Sequence, residues 1–235
     1  MLFRSLKPGS KPVKCKLRPL PPHLRKKCEE QVDQWLKQGV IEPASSPWAF
    51  NLVPVAKKAN VNTPNAETEW RFVVDFRPLN PMLEQPVRQI AHLGEKLALL
   101  KHTVKGMTFR LMSTSDLTRA FQTVIVNAED REVTAFVTPK GQYQFVRMTY
   151  GLATAPNIFH NVVLALEEEL EREDSELAKS ILTYFDDSIF LSVDFNHLLH
   201  QWKAYLTVIE RLGLKINPLK CVIGQHELEI GRAHV

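Results

Sequence analysis

The tetrapeptide Tyr184-Phe185-Asp186-Asp187 lies inside an apolar run that includes Ile181, Leu182, Ile189, Phe190 and Leu191. The flanking segments are strand-length, and the two carboxylates between them fit the tip of a β-hairpin. Burying charge there costs several kcal/mol unless something compensates. A divalent metal is one such compensation. A third carboxylate, Asp116, closes a similar apolar strand, 109–115. Mg²⁺ takes hard oxygen ligands and leaves room for substrate phosphates, so such a set suits phosphoryl transfer. Taken singly, each feature also has a plainer reading. Asp116 fits the cap of a helical turn, Asp186 and Asp187 fit an exposed turn, and Y-x-D-D patterns arise by chance.

The rest of the chain reads as alternating helices and antiparallel strands. A helix is expected over 22–38, with Leu24, Cys28, Val32, Trp35 and Leu36 at helical spacing. Strands over 48–56 and 70–76 flank a polar loop, 59–68. A modest helix follows at 90–100, then strands near 122–126, 132–137 and 142–147. Long helices span 154–172 and 196–212, the second ended by Gly213, and a short strand pair is expected over 214–223. This pattern predicts an α+β fold. Ser115, polar beside Asp116, is expected to weaken strand packing. The acidic run 167–176 reads as a solvated helix end. Asp75 and Arg77 fit an ion pair or substrate-adjacent charges equally.

Charge is distributed unevenly. The chain has 235 residues and a net charge of +4, yet residues 1–28 hold nine Lys and Arg and no acid. The remainder is acidic, with 21 basic residues against 26 acidic ones. The basic lead-in, 1–21, fits either an arm that binds nucleic-acid phosphates or a solvated linker. Cys15, Cys28 and Cys221 form no metal-binding spacing, which suits reduced thiols. No stretch of eighteen apolar residues occurs, so no membrane partner is expected.

The order of several longer motifs narrows the reading. Gln38-Gly39-Val40-Ile41-Glu42-Pro43 precedes Ser46-Pro47-Trp48. Trp70-Arg71-Phe72-Val73-Val74-Asp75-Phe76-Arg77-Pro78-Leu79-Asn80 comes next, followed by Asp116-Leu117 with Ala120-Phe121. Gly151-Leu152 with Ala155-Pro156 and Phe159 follows, then Tyr184 to Asp187, then Gly213-Leu214 with Asn217-Pro218 and Lys220-Cys221. From Pro22 to about Gly224 this series resembles the reverse transcriptase domain of Gypsy-class LTR retrotransposon polyproteins.

The resemblance implies a right-hand polymerase: fingers and palm, an antiparallel palm sheet backed by helices, and no thumb. Residues 22–115 would be mainly fingers with the start of the palm. Residues 116–228 would be mainly palm, with a fingers insertion near 125–147. The tail 229–235 reads as non-native. Asp116, Asp186 and Asp187, with the Leu117 carbonyl, would hold two Mg²⁺ ions, Mn²⁺ being the alternative. Arg71 and either Lys57 or Lys58 would bind the incoming dNTP. Phe121 would exclude a ribose 2′-hydroxyl or simply pack in the core. Tyr150 and Gly151 would lie near the nascent base pair. Lys220 would protonate the leaving pyrophosphate or remain a solvated lysine. Partners would be an RNA template, a DNA or RNA primer, and other polyprotein segments. The expected location is intracellular, in the cytoplasm or a virus-like particle. The competing expectations are an inactive remnant that at most binds nucleic acid, and an RNA-directed RNA polymerase. Phe121 speaks against the second, because RNA synthesis needs room for the 2′-hydroxyl.

Overall fold

Local sequence explains the first helix, α1 (Pro22–Lys37). Proline opens it, where no backbone donor is lost, and Leu24, Cys28 and Val32 recur on one buried stripe. Strands β1 (Ile41–Pro43), β2 (Phe50–Ala56) and β3 (Trp70–Val74) follow, then α2 (Leu93–Thr103) and β4 (Leu111–Asp116). Next come β5 (Phe136–Thr138), β6 (Gly141–Phe145), α3 (Ala155–Glu173), the short α4 (Ser175–Ala178), β7 (Ile181–Tyr184) and β8 (Asp187–Ser192). The chain then forms α5 (Phe195–Arg211) and β9 (Val222–Gln225). This computed structural model describes residues 6–56, 69–84 and 90–227. Among them, no helix is long and apolar enough to cross a membrane.

The chain divides into two units, each built from separated stretches: Met1–Pro86 with Val124–Pro156, and Val87–Thr123 with Asn157–Val235. The first unit carries a five-stranded sheet, β1-β6-β5-β2-β3. Its pairs are antiparallel except β2 with β5, where Phe50 faces Phe136 in a parallel register. An aromatic core forms against it: Phe50, Phe76, Phe136 and Phe145 are at most 1% exposed, and their rings meet edge-on or tilted. Trp35 of α1 adds its ring to Phe136 and Phe145. These contacts bury large apolar area and add pairwise aromatic attraction.

The lead-in is tied to this unit. Lys14 bridges Ala49 in parallel, Cys15 N donates to the Ala49 carbonyl at 2.8 Å, and Leu6 bridges Leu83. The Asn51 side chain accepts from Arg18 N and donates to the Lys16 carbonyl.

The second unit carries an all-antiparallel sheet, β7-β8-β4-β9. Leu100 and Val104 from the end of α2 pack on Leu182 and Ile189. Lys96 of α2 donates to Glu167 of α3 at 2.6 Å and to the Thr183 carbonyl at 3.0 Å. Arg211 binds Glu169 and Glu173. The acidic end of α3 is therefore partly paired rather than merely solvated. Helix α5 is capped by Asp194, which accepts from His197 N at 2.8 Å. It ends before Gly213, at φ +65°.

Three expected strand regions differ. Residues 122–126 form no strand: Ala120–Thr123 is a 3₁₀ turn, and Ile125 makes a single bridge to Arg147. Residues 132–134 belong to a second 3₁₀ segment, Ala128–Thr134. There the Thr134 hydroxyl donates to the Arg131 carbonyl and accepts from Phe145 N. Nor does 214–223 fold back on itself. Ile216 bridges Leu117, Pro218–Lys220 is a 3₁₀ turn, and β9 pairs with β4.

Candidate active site

In the second unit, β4 ends on Asp116 and β8 begins on Asp187, and the two residues are direct cross-strand partners. Tyr184 also pairs with Asp187, so Phe185 and Asp186 form a two-residue turn. Leu117 N donates to the Asp186 carbonyl at 2.7 Å, which ties this turn to the end of β4. Backbone pairing thus brings all three aspartates to one end of the sheet.

Their environments differ from the expected burial. Asp187 is exposed and Asp186 half-buried, because the turn lifts them clear of the apolar strands. The Asp116 carboxylate is 14% exposed and carries the desolvation burden. Its charge is compensated by Lys220, whose Nζ lies 2.9 and 3.1 Å from the two carboxylate oxygens. The segment carrying Lys220 is fastened to the end of β4. Asn217 N donates to the Asp116 carbonyl at 2.8 Å, and Thr118 N donates to the Lys215 carbonyl at 2.7 Å. Among the described residues, no three His, Cys, Asp or Glu side chains are gathered into a metal cage. The donors are nevertheless hard carboxylate oxygens on a shared sheet end, a set that suits Mg²⁺.

Backbone strain marks the same place. Among the described residues, the non-glycine positions with positive φ are Arg119, at 53°, and Phe185, at 54°. One follows Asp116 by three residues and the other precedes Asp186. Left-handed backbone at non-glycine residues is costly and gathers at functional sites. Phe121 is half-buried and stacks on Phe159 at 5.0 Å, with an interplanar angle of 24°.

Behind the carboxylates lies a buried hydroxyl layer that sequence reading missed. Ser115 pairs with Ser188, one register step from Asp116 and Asp187. The Tyr205 hydroxyl of α5 bonds to Ser115 and lies 3.2 Å from the Ser188 hydroxyl. Thr183 lies 3.3 Å from Ser188, and Gln201 bonds to Ser192, Ser180 and the Leu191 carbonyl. Ser115 is therefore a satisfied member of a network rather than a packing defect. Burial pushes the Tyr205 phenol above its usual range, which keeps it a neutral donor.

The first unit holds the remaining described candidates. Arg71 is exposed on β3 opposite Val55. Tyr150 is half-exposed, and Gly151 adopts φ +94°. A Cβ at 151 would stand 3.2 Å from the Val74 carbonyl, so glycine permits the close approach of this turn to β3. Asn80 staples the turn, donating to the Gly151 carbonyl at 3.0 Å and accepting from Ala153 N at 2.9 Å. Strand β3 stops before Asp75, and Arg77 grips both oxygens of Asp75 at 2.7 Å, an ion pair. Lys57, Lys58 and the tail 229–235 lie outside the described residues.

Residues 55–230 match the family described as Reverse transcriptase (RNA-dependent DNA polymerase). The retrovirus-related Pol polyprotein from transposon opus of Drosophila melanogaster is 31% identical over 88% of this chain and 19% of its own length. The transposon Tf2-3 polyprotein of Schizosaccharomyces pombe is 26% identical over 92% of this chain and 15% of its own length. The chain thus spans less than a fifth of these relatives. Among solved structures, the native protease-reverse transcriptase of prototype foamy virus is 26% identical, with a TM-score of 0.74, over 94% of this chain and 27% of that one. A labelled mutant of the same protein gives a TM-score of 0.76 at 24% identity. These matches agree with the motif series from Gln38 to Cys221, and the chain belongs to the reverse transcriptase family.

Proposed function

We propose that this chain is the fingers and palm portion of an RNA-directed DNA polymerase from a retrotransposon polyprotein. It would add dNTPs to a primer 3′-hydroxyl on an RNA template. One observation carries this reading: Asp116 and Asp187 oppose each other on adjacent strands, with Asp186 in the turn between. The first unit is read as mainly fingers and the second as mainly palm.

Asp116, Asp186 and Asp187, with the Leu117 carbonyl, are the residues to hold two Mg²⁺ ions, or Mn²⁺ in their place. Such ions, when bound, supply activation of the attacking hydroxyl and neutralisation of the leaving charge. The protein's own part is mainly positioning and electrostatics. Arg71, exposed on β3, grips triphosphate oxygens with its planar fork. Lys57 or Lys58 adds a point charge. Tyr150 and Gly151 border the nascent base pair, and the Phe121 ring excludes a 2′-hydroxyl. Lys220 holds a proton beside Asp116 and passes it to departing pyrophosphate. Other polyprotein segments are the remaining partners, inside the cell.

The test is RNA-templated primer extension by the chain fused to the downstream segment of a relative. Extension that requires Mg²⁺ and disappears in Asp186→Asn is the expected result. Equal extension by both proteins would reject the assignment.

A further inference from the structure

The lead-in is basic, exposed and fixed in place. Lys7, Lys11, Lys14, Lys16, Arg18, Arg25 and Lys26 are exposed. The backbone beneath them is held by the Lys14–Ala49 bridge, by Cys15 and Ala49 amide bonds, and by both ends of the Asn51 side chain. A solvated linker needs no such anchoring, and the buried Asn51, 4% exposed, is committed to it. The charges are also poorly neutralised. Arg77 takes both oxygens of the nearby Asp75 at 2.7 Å, leaving Arg18 a contact of 3.5 Å. Lys11, Lys14 and Lys16 have no acidic partner among the described residues.

The shape of this surface selects among polyanions. Lys14, Lys16 and Arg18 alternate along the chain, and alternate residues of an extended segment stand roughly 7 Å apart. That repeat is close to the phosphate spacing of a stretched single strand. Beside it runs a groove of about 390 Å³, lined by Lys16, Leu17, Arg18, Pro19, Pro78 and Asp75, whose two carboxylate oxygens are held by Arg77. Leu17 is 54% exposed there. Apolar walls between two cations offer a base a surface to lie on while its phosphates meet the charges. A duplex, with its bases stacked inside, cannot use that groove.

We infer that segment 11–18, pinned to the first unit by Ala49 and Asn51, is a binding strip for single-stranded nucleic acid. The strip follows the backbone with Lys11, Lys14, Lys16 and Arg18 and seats a base in the groove beside Leu17. It adds a template-holding element to the proposed polymerase and rests on that reading only for the identity of the strand. Its binding is a property of the folded first unit and requires no chemistry at the aspartates.

The test is fluorescence anisotropy with a labelled uridine 20-mer, titrated with this chain over a range of salt. Each neutralised single-strand phosphate contributes about 0.7 to the slope of log K against log salt. The variant K11Q/K14Q/K16Q should therefore lower that slope by about 2 and weaken binding about tenfold near physiological salt. The charge-preserving K11R/K14R/K16R should retain both. Leu17→Ser, which keeps every charge, should weaken binding without changing the slope. An unchanged slope and affinity in the glutamine variant would overturn the inference. So would a loss seen only with a hairpin duplex. Intact strip binding without primer extension would reject the polymerase reading alone.

Discussion

The Tyr205 hydroxyl lies 3.2 Å from that of Ser188, the residue next to Asp187, and it also bonds to Ser115, the residue before Asp116. A single phenol on α5 thus joins the two strands one step behind the carboxylate pair. Tyr205→Phe keeps the ring contacts with Phe190 and Trp202 and removes only this oxygen. It should cost about 1–2 kcal/mol by leaving buried hydroxyls short of a partner, read from urea unfolding. Tyr205→Leu should cost more, because the ring packing is lost as well.

Gly151→Ala tests the stapled turn. Its positive φ and the 3.2 Å approach to the Val74 carbonyl leave a methyl group no easy place. A loss of at least about 1 kcal/mol is expected, with a lower melting temperature by calorimetry. Asn80→Asp preserves one acceptor and should do less harm than Asn80→Ala.

Acid should weaken the Asp75–Arg77 pair. Its hydrogen bond to Arg77 holds the Asp75 carboxyl below the usual carboxylate range. A depressed folded-state value means that this contribution is fully present above the unfolded value of about 4. It fades as pH falls through the lower folded value. Asp75→Asn should therefore be less stable than the parent at neutral pH, and the gap should close in strong acid. Unfolding curves at several pH values would show this.

Thiol chemistry separates the cysteines. Cys28 is wholly buried, and burial, with a smaller effect from Glu29, pushes its thiol up to about 11. Cys15 and Cys221 are only half-buried. Iodoacetamide at about pH 8 should label these two in the native protein and reach Cys28 only after unfolding, as counted by mass spectrometry.

Phe121→Ala should raise ribonucleotide incorporation relative to deoxyribonucleotide in the extension assay. Unchanged discrimination would leave Phe121 as a packing partner of Phe159, 5.0 Å away.

Much of this architecture is legible in the residues themselves. The stripe Leu24, Cys28, Val32 marks α1, and the apolar runs around Asp186 mark the β7–β8 hairpin. Motif order places Asp116 with Asp186 and Asp187 before any coordinates do. What escapes reading is long-range or context-dependent. Lys220 meets Asp116 across 104 residues, and Asn80 meets Gly151 across 71. No local pattern encodes either contact. Val133 and Thr134 have strand-forming side chains, yet they lie in a 3₁₀ segment. Strand preference largely reports packing on a half-buried surface, and Thr134 meets that need by bonding Phe145 N from a turn. The Tyr205 network is silent in the sequence, because Ser and Thr hydroxyls look alike whether they face water or one another.

The assembly of each unit from separated stretches has a consequence for biosynthesis. Strand β2 finds its neighbour β5 only after some eighty further residues have left the ribosome, Phe50 waiting for Phe136. Until then, Phe50 and Phe76 have no Phe136 or Phe145 to cover them. The nascent chain thus passes through a long interval with sticky, unpaired strands. Neither unit can be produced by simple truncation, and holding chaperones have a defined window in which to act.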